Sequence, residues 1–282
     1  TTLEGGRRAV DPLSLRQQEI VEIARESRRV TVEGLSARFG VTPQTIRRDL
    51  AELCAARILR RVHGGATLAS GVANLGYGER AAMNGAAKEA IGRLCARTIP
   101  NDCSLFINIG TTTEAVARAL AAHRNLLVIT NNLNVANTLA RNEEAEVIVA
   151  GGLLRTSDMG LVGEATVDFI RQFKVDYAIV GASAIDLDGA LLDYDFREVK
   201  VAQAILGNAR RSLLVADASK FTRSAPVRIA RLTDLDAVFT DAPPPPPVRA
   251  LCGDHDVAIH VAPPEAAAPP PAEDASELAT PR

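Results

Sequence analysis

Between residues 104 and 240 the chain keeps returning to one unit: a short apolar run, a turn of small or polar residues, then an amphipathic stretch. The apolar runs fall at 104–109, 126–130, 146–150, 177–180, 212–216 and 237–240, and they read as strands. Stretches at 114–120, 135–140, 163–173 and 196–208 have a helical period, and a helix at 88–98 precedes the first strand. Few architectures accommodate this alternation. It predicts an α/β domain built on a doubly wound, mostly parallel sheet with helices on both faces. An apolar content of 47% is ample for a core, and with no Trp and 4% aromatic residues that core is aliphatic. The prolines at 243–247 are expected to end regular structure.

In such sheets ligands sit at the carboxyl ends of the strands. Gly110-Thr111-Thr112-Thr113 follows the first strand and opens a helix. Glycine lets a ligand approach the backbone, and successive N–H groups and hydroxyls suit a phosphate. Asn131 and Asn132 follow the second strand, and Gly151, Gly152 and Arg155 the third. Gly181, Ser183 and Asp186 follow the fourth, and Asp217-Ala218-Ser219-Lys220 the fifth. The set suits a small polar anion such as a sugar phosphate. Each member also has a plainer reading: an N-capping turn for Gly-Thr-Thr, a surface turn for Asp-x-Ser-Lys. Glu114 adds negative charge beside the phosphate position, and its expected role is in the first turn of the helix.

The N-terminal part is patterned differently. Helical period at 16–27 is followed by a short helix at 32–39, capped by Thr31 and ended by Gly40. A third helix starts at Thr42-Pro43, an N-cap followed by proline at the first helical position. Ile46, Leu50, Leu53 and Cys54 form its apolar stripe, while Gln44, Arg47, Arg48 and Ala51 fall on the other side. Helix, short helix, glycine turn, helix is the helix-turn-helix order. Residues 58–68 alternate around Gly64-Gly65 and read as a β-hairpin wing. Thr42, Gln44, Thr45, Arg47 and Arg48 on the helix are the candidate DNA contacts, with Arg60, Arg61 and His63 on the wing. A solvated polar face, or a head that docks on protein, are the alternatives; for His63 the plainer role is a contact between wing and helix.

Charge is distributed accordingly. Residues 1–70 hold 12 Lys+Arg against 8 Asp+Glu, and the remainder 20 against 26, although the whole chain is at −2. A basic head on an acidic body fits DNA binding. The four cysteines, Cys54, Cys95, Cys103 and Cys252, are scattered without metal-ligand spacing, so reduced thiols, no metal and no cofactor are expected. No apolar run reaches the ~18 residues of a membrane span, residues 1–11 lack a signal-peptide core, and a cytoplasmic protein is expected. The expected division is a flexible arm at 1–13, the DNA-binding head at 14–70, a linker at 71–87 with a short structured piece near Tyr77 to Met83, a sensor domain at 88–262 and a disordered tail at 263–282.

The 41–50 stretch with His63-Gly64-Gly65-Ala66 resembles the DeoR family of bacterial repressors. So do Ile109-Gly-Thr-Thr-Thr-Glu-Ala-Val-Ala117, the segment 130–139, Gly163-Glu-Ala-Thr166, Val175-Asp176 and Thr240-Asp-Ala-Pro-Pro-Pro245. The resemblance spans about residues 14–262. It implies a winged helix-turn-helix head, a homo-oligomer (dimer or tetramer) on double-stranded operator DNA, and repression of glycerol-3-phosphate metabolism genes. It also implies release by a phosphorylated metabolite, expected to be sn-glycerol-3-phosphate. The sensor domain is further similar to ribose-5-phosphate isomerase, whose phosphate loop and Asp-x-Ser-Lys segment resemble 109–113 and 217–220. Glu198 falls near the position of that enzyme's catalytic carboxylate. The enzyme's upstream Lys and glycine run are missing from residues 189–197, so this site is expected to bind without turnover. A sugar-phosphate enzyme with an accessory head is the alternative.

Overall fold

The computed structural model describes residues 14–27, 29–56, 58–62, 64–68 and 76–263. The head contains α1 (Leu15–Ser27), β1 (Arg29–Thr31), α2 (Val32–Phe39), α3 (Pro43–Ala55) and the hairpin β2 (Leu59–Val62) and β3 (Gly65–Leu68). Local chemistry sets its boundaries. The Thr31 hydroxyl accepts from Gly34 N at 3.1 Å, and Gly40 closes α2 at φ 62 with its N–H on Ser36 O. The Thr42 hydroxyl accepts from Thr45 N at 3.3 Å, and Pro43 follows. Ile46, Leu50 and Leu53 then meet Ile20, Val21 and Ala24 of α1 and Leu35 of α2 in one core, against which Cys54 packs from its edge. Strand β1 was not legible in the pattern. It pairs antiparallel with β3, giving the order β1-β3-β2. The close approach requires Gly65, where a Cβ would stand 1.9 Å from Val30 O.

Arg16 clasps Asp49 at 2.6 and 3.2 Å and so pins α1 to α3. Asp49→Ala is expected to lower the stability of the head by about 1 kcal/mol, because Arg16 is 35% exposed and water replaces part of the pair. Thermal melting of the full chain checks this; an unchanged first transition would show the pin to be idle.

The larger part opens with α4 (Tyr77–Ala82) and α5 (Gly85–Ala96). It continues through β4 (Cys103–Ile107), α6 (Thr111–Ala119), β5 (Leu126–Thr130), α7 (Leu133–Leu139), β6 (Ala145–Val149), β7 (Leu153–Arg155), β8 (Gly160–Val162) and α8 (Glu164–Ile170). Next come β9 (Val175–Val180), β10 (Ala184–Ile185), β11 (Ala190–Asp193), α9 (Phe196–Gly207) and β12 (Ala209–Val215). A 3-10 turn (Ala218–Thr222), β13 (Val227–Arg231), β14 (Ala237–Thr240), α10 (Pro246–Asp254) and β15 (Ala258–Val261) complete it. Seven strands form one sheet in the order β15-β14-β12-β9-β4-β5-β6, and every pairing in it is parallel. Residues alternate between its faces: Phe106, Ile129 and Val180 enter one core, Leu105, Ile107 and Val128 the other. The doubly wound α/β expectation therefore holds. Two small antiparallel sheets, β10-β11-β13 and β7-β8, are additions to it.

Two expectations change. The short structured piece expected near Tyr77 to Met83 is α4, but no linker follows it: α5 starts at Gly85, ahead of the boundary expected at 88. Alanine, taken there as a loop residue, is the strongest helix former, and Tyr77 is anchored by a 2.8 Å bond to Glu114. The prolines at 243–247 do not end regular structure. Pro246 occupies the first turn of α10, where a missing N–H costs nothing, and β15 extends the sheet beyond it. The arm at 1–13, residues 71–75, His63 and the tail from 264 lie outside the described residues. Among the described residues no helix is long and apolar enough to cross a membrane.

Candidate functional site

The chain leaves β4 toward β5 and β6, and it leaves β9 toward β12 and β14. The carboxyl ends of β4 and β9 therefore flank the switch point, where such sheets hold ligands. Asn108 N bonds Ile179 O at 3.0 Å across this point, and Gly181 lies beside Thr113. Helix α6 starts here without a side-chain cap, and its first internal bond is Glu114 N to Gly110 O. The N–H groups of Thr111, Thr112 and Thr113 thus lack helical acceptors. The Thr113 hydroxyl is consumed by Asn108 O and Gly110 O, at 2.7 and 2.8 Å. Gly110, Thr111 and Thr112 remain as the donor turn.

A cation cluster gathers around Asp217 at the end of β12. Lys220 from the 3-10 turn and Lys88 from α5 are 9% and 4% exposed. Arg223 joins them, and Arg80 lies close by. Lys88 Nζ donates to the carbonyls of Arg80 and Met83. Asp217 accepts from Asn84 at 2.9 Å and from the Ser219 amide at 3.1 Å and hydroxyl. Burial pushes Lys220 down to about 8 against the opposing pull of Asp217, and burial also lowers Lys88 and Arg223. Burial raises Asp217, but Lys220, Ser219 and Asn84 outweigh it and hold the carboxyl below its ordinary range. Lys88, Lys220 and Arg223 share Asp217, with the buried Glu114 acting on Lys88 as well, so buried positive charge still exceeds negative, which is costly until an anion arrives.

A pH dependence follows. Phosphate binding is expected to be tightest between roughly pH 6, where the dianion forms, and about 8, above which Lys220 loses its proton. Without ligand the sign reverses. The ordinary value of 10.5 exceeds the folded value, so the unfolded chain binds more protons between about 8 and 10.5. Stability contributed by this group therefore rises with pH across that window. Calorimetry and melting curves at pH 6 to 10 check both directions; a flat profile would remove Lys220 from the site.

Other candidates stand elsewhere. Arg155 is clasped by Asp158 (2.8 and 2.7 Å), Asp195 (3.1 Å) and Glu198, which occupies its guanidinium. Glu198 is pushed up to about 8 by burial and Asp193, with Arg155 opposing. Asn132 caps α7 and donates to Glu114. Asn131 holds Leu161 O at 3.0 Å, and its Oδ1 is buried without a partner. Gly151 and Gly152 follow β6, two strands from the switch point, where the Thr166 hydroxyl takes the Gly151 carbonyl. Glu114 does not cap α6; it receives Tyr77, Asn132 and Asn134. Ser183 bonds Asp193 at 2.9 Å.

Lys88, Arg80, Asn84 and Arg223 were missed by sequence reasoning. Two of them, Arg80 and Asn84, sit in the stretch read as a linker. A signal existed: Lys88, Ile91, Gly92 and Cys95 form one buried stripe of α5, and a lone Lys on an apolar stripe marks a cation held inside.

On the head, Thr42, Gln44, Arg47 and Arg48 are exposed and Thr45 is half-buried at the start of α3. Arg47 lies 3.4 Å from Gln44 Oε1, and Arg48 pairs with Glu52 at 3.1 Å. Arg60 and Arg61 are exposed on β2. One helix end and one wing strand thus offer forked cations, an amide and hydroxyls, with the apolar side committed to the core.

A family model described as the DeoR-like helix-turn-helix domain matches residues 16–72, and one described as the DeoR C terminal sensor domain matches 83–242. The glycerol-3-phosphate regulon repressor of Escherichia coli (strain K12) is 48% identical over 246 residues, 87% of this chain and 98% of that one. The repressor of the same name from Haemophilus influenzae is 50% identical over 227 residues, 80% of this chain and 89% of that one. Among solved structures, ribose 5 phosphate isomerase A from Neisseria gonorrhoeae matches 48% of this chain and 53% of its own. The identity is 14% and the TM-score 0.34, too loose a superposition to carry inference.

Proposed function

The chain belongs to the DeoR family of DNA-binding transcriptional repressors, and we propose that it represses glycerol-3-phosphate metabolism genes until sn-glycerol-3-phosphate fills the site beside Lys220. The observation that carries the effector class is the buried cluster of Lys88, Lys220 and Arg223 around Asp217, near an uncapped helix start. Phosphate satisfies both parts, as a counter-ion and as an acceptor for the Thr111 and Thr112 donors. The choice of three carbons over five follows the names of the similar repressors. Two or more copies act together, since one winged head reads only a half-site.

Release requires the ligand to prefer the DNA-free arrangement. The 3-10 turn offers a route. Lys220 points into the cation cluster, while Ala218, Ser219 and Thr222 line a cleft of about 670 Å³ that Gln18, Val21 and Glu22 of α1 close from the head side. A ligand that draws Lys220 inward moves the wall against which the head rests. Calorimetry with sn-glycerol-3-phosphate, glycerol, inorganic phosphate and pentose and hexose phosphates tests the effector. Saturable heat with glycerol-3-phosphate and none with glycerol is expected; saturable heat only with a hexose phosphate would overturn the effector while sparing the site.

A further inference from the structure

The large sheet has two open edges, and they differ. At β15, His260 stacks on Phe239 at 4.6 Å, and Val261 is the large exposed apolar residue. At β6, exposed apolar residues gather within six positions: Val149 at 39%, Leu153 at 61% and Leu154 at 39%. Among the described residues no strand pairs with the outer side of β6, since β7 and β8 pair with each other. The bonds Leu126 N to Glu144 O (3.2 Å) and Ala150 N to Thr130 O (2.9 Å) fix the parity of β6. Even-numbered residues turn their backbone groups toward β5, so Val147 and Val149 turn theirs outward. An open strand with unpaired backbone groups templates further pairing unless Pro, Lys or a bulge blocks it. Residues 145–149, Ala-Glu-Val-Ile-Val, carry no Pro or Lys, and their register with β5 runs unbroken.

Charge restricts how a second copy can pair with this edge. Across a two-fold axis two copies of β6 meet antiparallel, centred on Val147 or on Ile148. Glu146 then faces Ile148 or Ala150 of the other copy, and Glu144 faces Ala150 or Gly152. Centred on Ala145 or Glu146 the same pairing would oppose Glu144 to Glu146 or Glu146 to its own copy. Charge therefore favours the Val147 and Ile148 registers, in which no carboxylate lies directly opposite another. We propose that a second copy of this chain docks on β6, joining two sheets edge to edge and bringing Leu153 and Leu154 of each copy beside the seam. This rests on the reading that heads act in pairs, and it says where the pair is joined.

Sedimentation velocity on the full chain tests it with Val149→Pro and Val149→Lys. Proline at 149 removes an outward N–H and leaves the bonds to β5 in place; the lysine blocks the edge without constraining the backbone. The expected result is a wild type of two or more copies and variants that lose half that mass, or need at least tenfold more protein to reach it, with unchanged circular dichroism. If Val149→Pro fails to fold, Val149→Lys decides. A folded variant with wild-type mass would place the interface elsewhere and leave the pair reading standing. A monomeric wild type would overturn both, leaving the edge to another occupant such as the chain's own tail.

Discussion

Alanine at both Arg47 and Arg48 is expected to weaken operator binding by about 100-fold or more, with each lost base contact worth ~1–3 kcal/mol. The melting curve should not move, because both side chains are exposed and the α3 core is formed by Ile46, Leu50 and Leu53. The two are not equivalent in the free protein. Arg48 shares its charge with Glu52, whose carboxyl is held low by hydrogen bonds from Arg48 and Gln17. Arg47 has only a long contact to Gln44. The single Arg47→Ala change should therefore cost more, and Glu52→Gln should tighten binding by freeing Arg48. Titrations of a folded double variant at two salt concentrations check this; wild-type affinity at both would remove these residues from the interface.

Lys220→Met and Lys88→Met are expected to abolish the response to effector and leave operator affinity intact. Truncating one member of a buried charge-assisted contact costs about 2–5 kcal/mol, so calorimetric affinity should fall at least 30-fold in either variant. Each change also removes a desolvated cation from a cluster that holds too many. The unliganded Lys220→Met protein should then melt no lower than wild type, which separates loss of a binding group from loss of fold. Lys88→Met also strips the donor from the Arg80 and Met83 carbonyls and is expected to melt lower. Thr111→Val with Thr112→Val should reproduce the effect from the other side, holding the repressor on DNA at ligand concentrations that release wild type. Undiminished affinity in folded Lys220→Met would place the anion elsewhere.

The α/β alternation was legible because buried parallel strands leave a strong local mark, and six runs on one chain admit few topologies. The caps at Thr31, Thr42 and Gly40 were legible because each acts within three or four residues of itself. What was lost is what depends on distant partners. Arg155 looks like a ligand-binding cation until Asp158, Asp195 and Glu198 are seen around it, and two of those lie some forty residues away. Asn132 follows a strand as a ligand-binding amide would, yet it caps the helix it precedes. Lys88 was hidden by its alanine-rich surroundings, and only burial against Asp217 gives it meaning. Short strands such as β1, whose residues have no partner until the wing folds back, left no pattern to read.

The central claim is tested most directly by fluorescence anisotropy of labelled operator DNA bound to the full chain, titrated with sn-glycerol-3-phosphate. The expected result is release that saturates over the concentrations where calorimetry shows binding, with glycerol and hexose phosphates leaving the complex intact. A complex that persists at saturating glycerol-3-phosphate, or that a hexose phosphate dissolves instead, would contradict it.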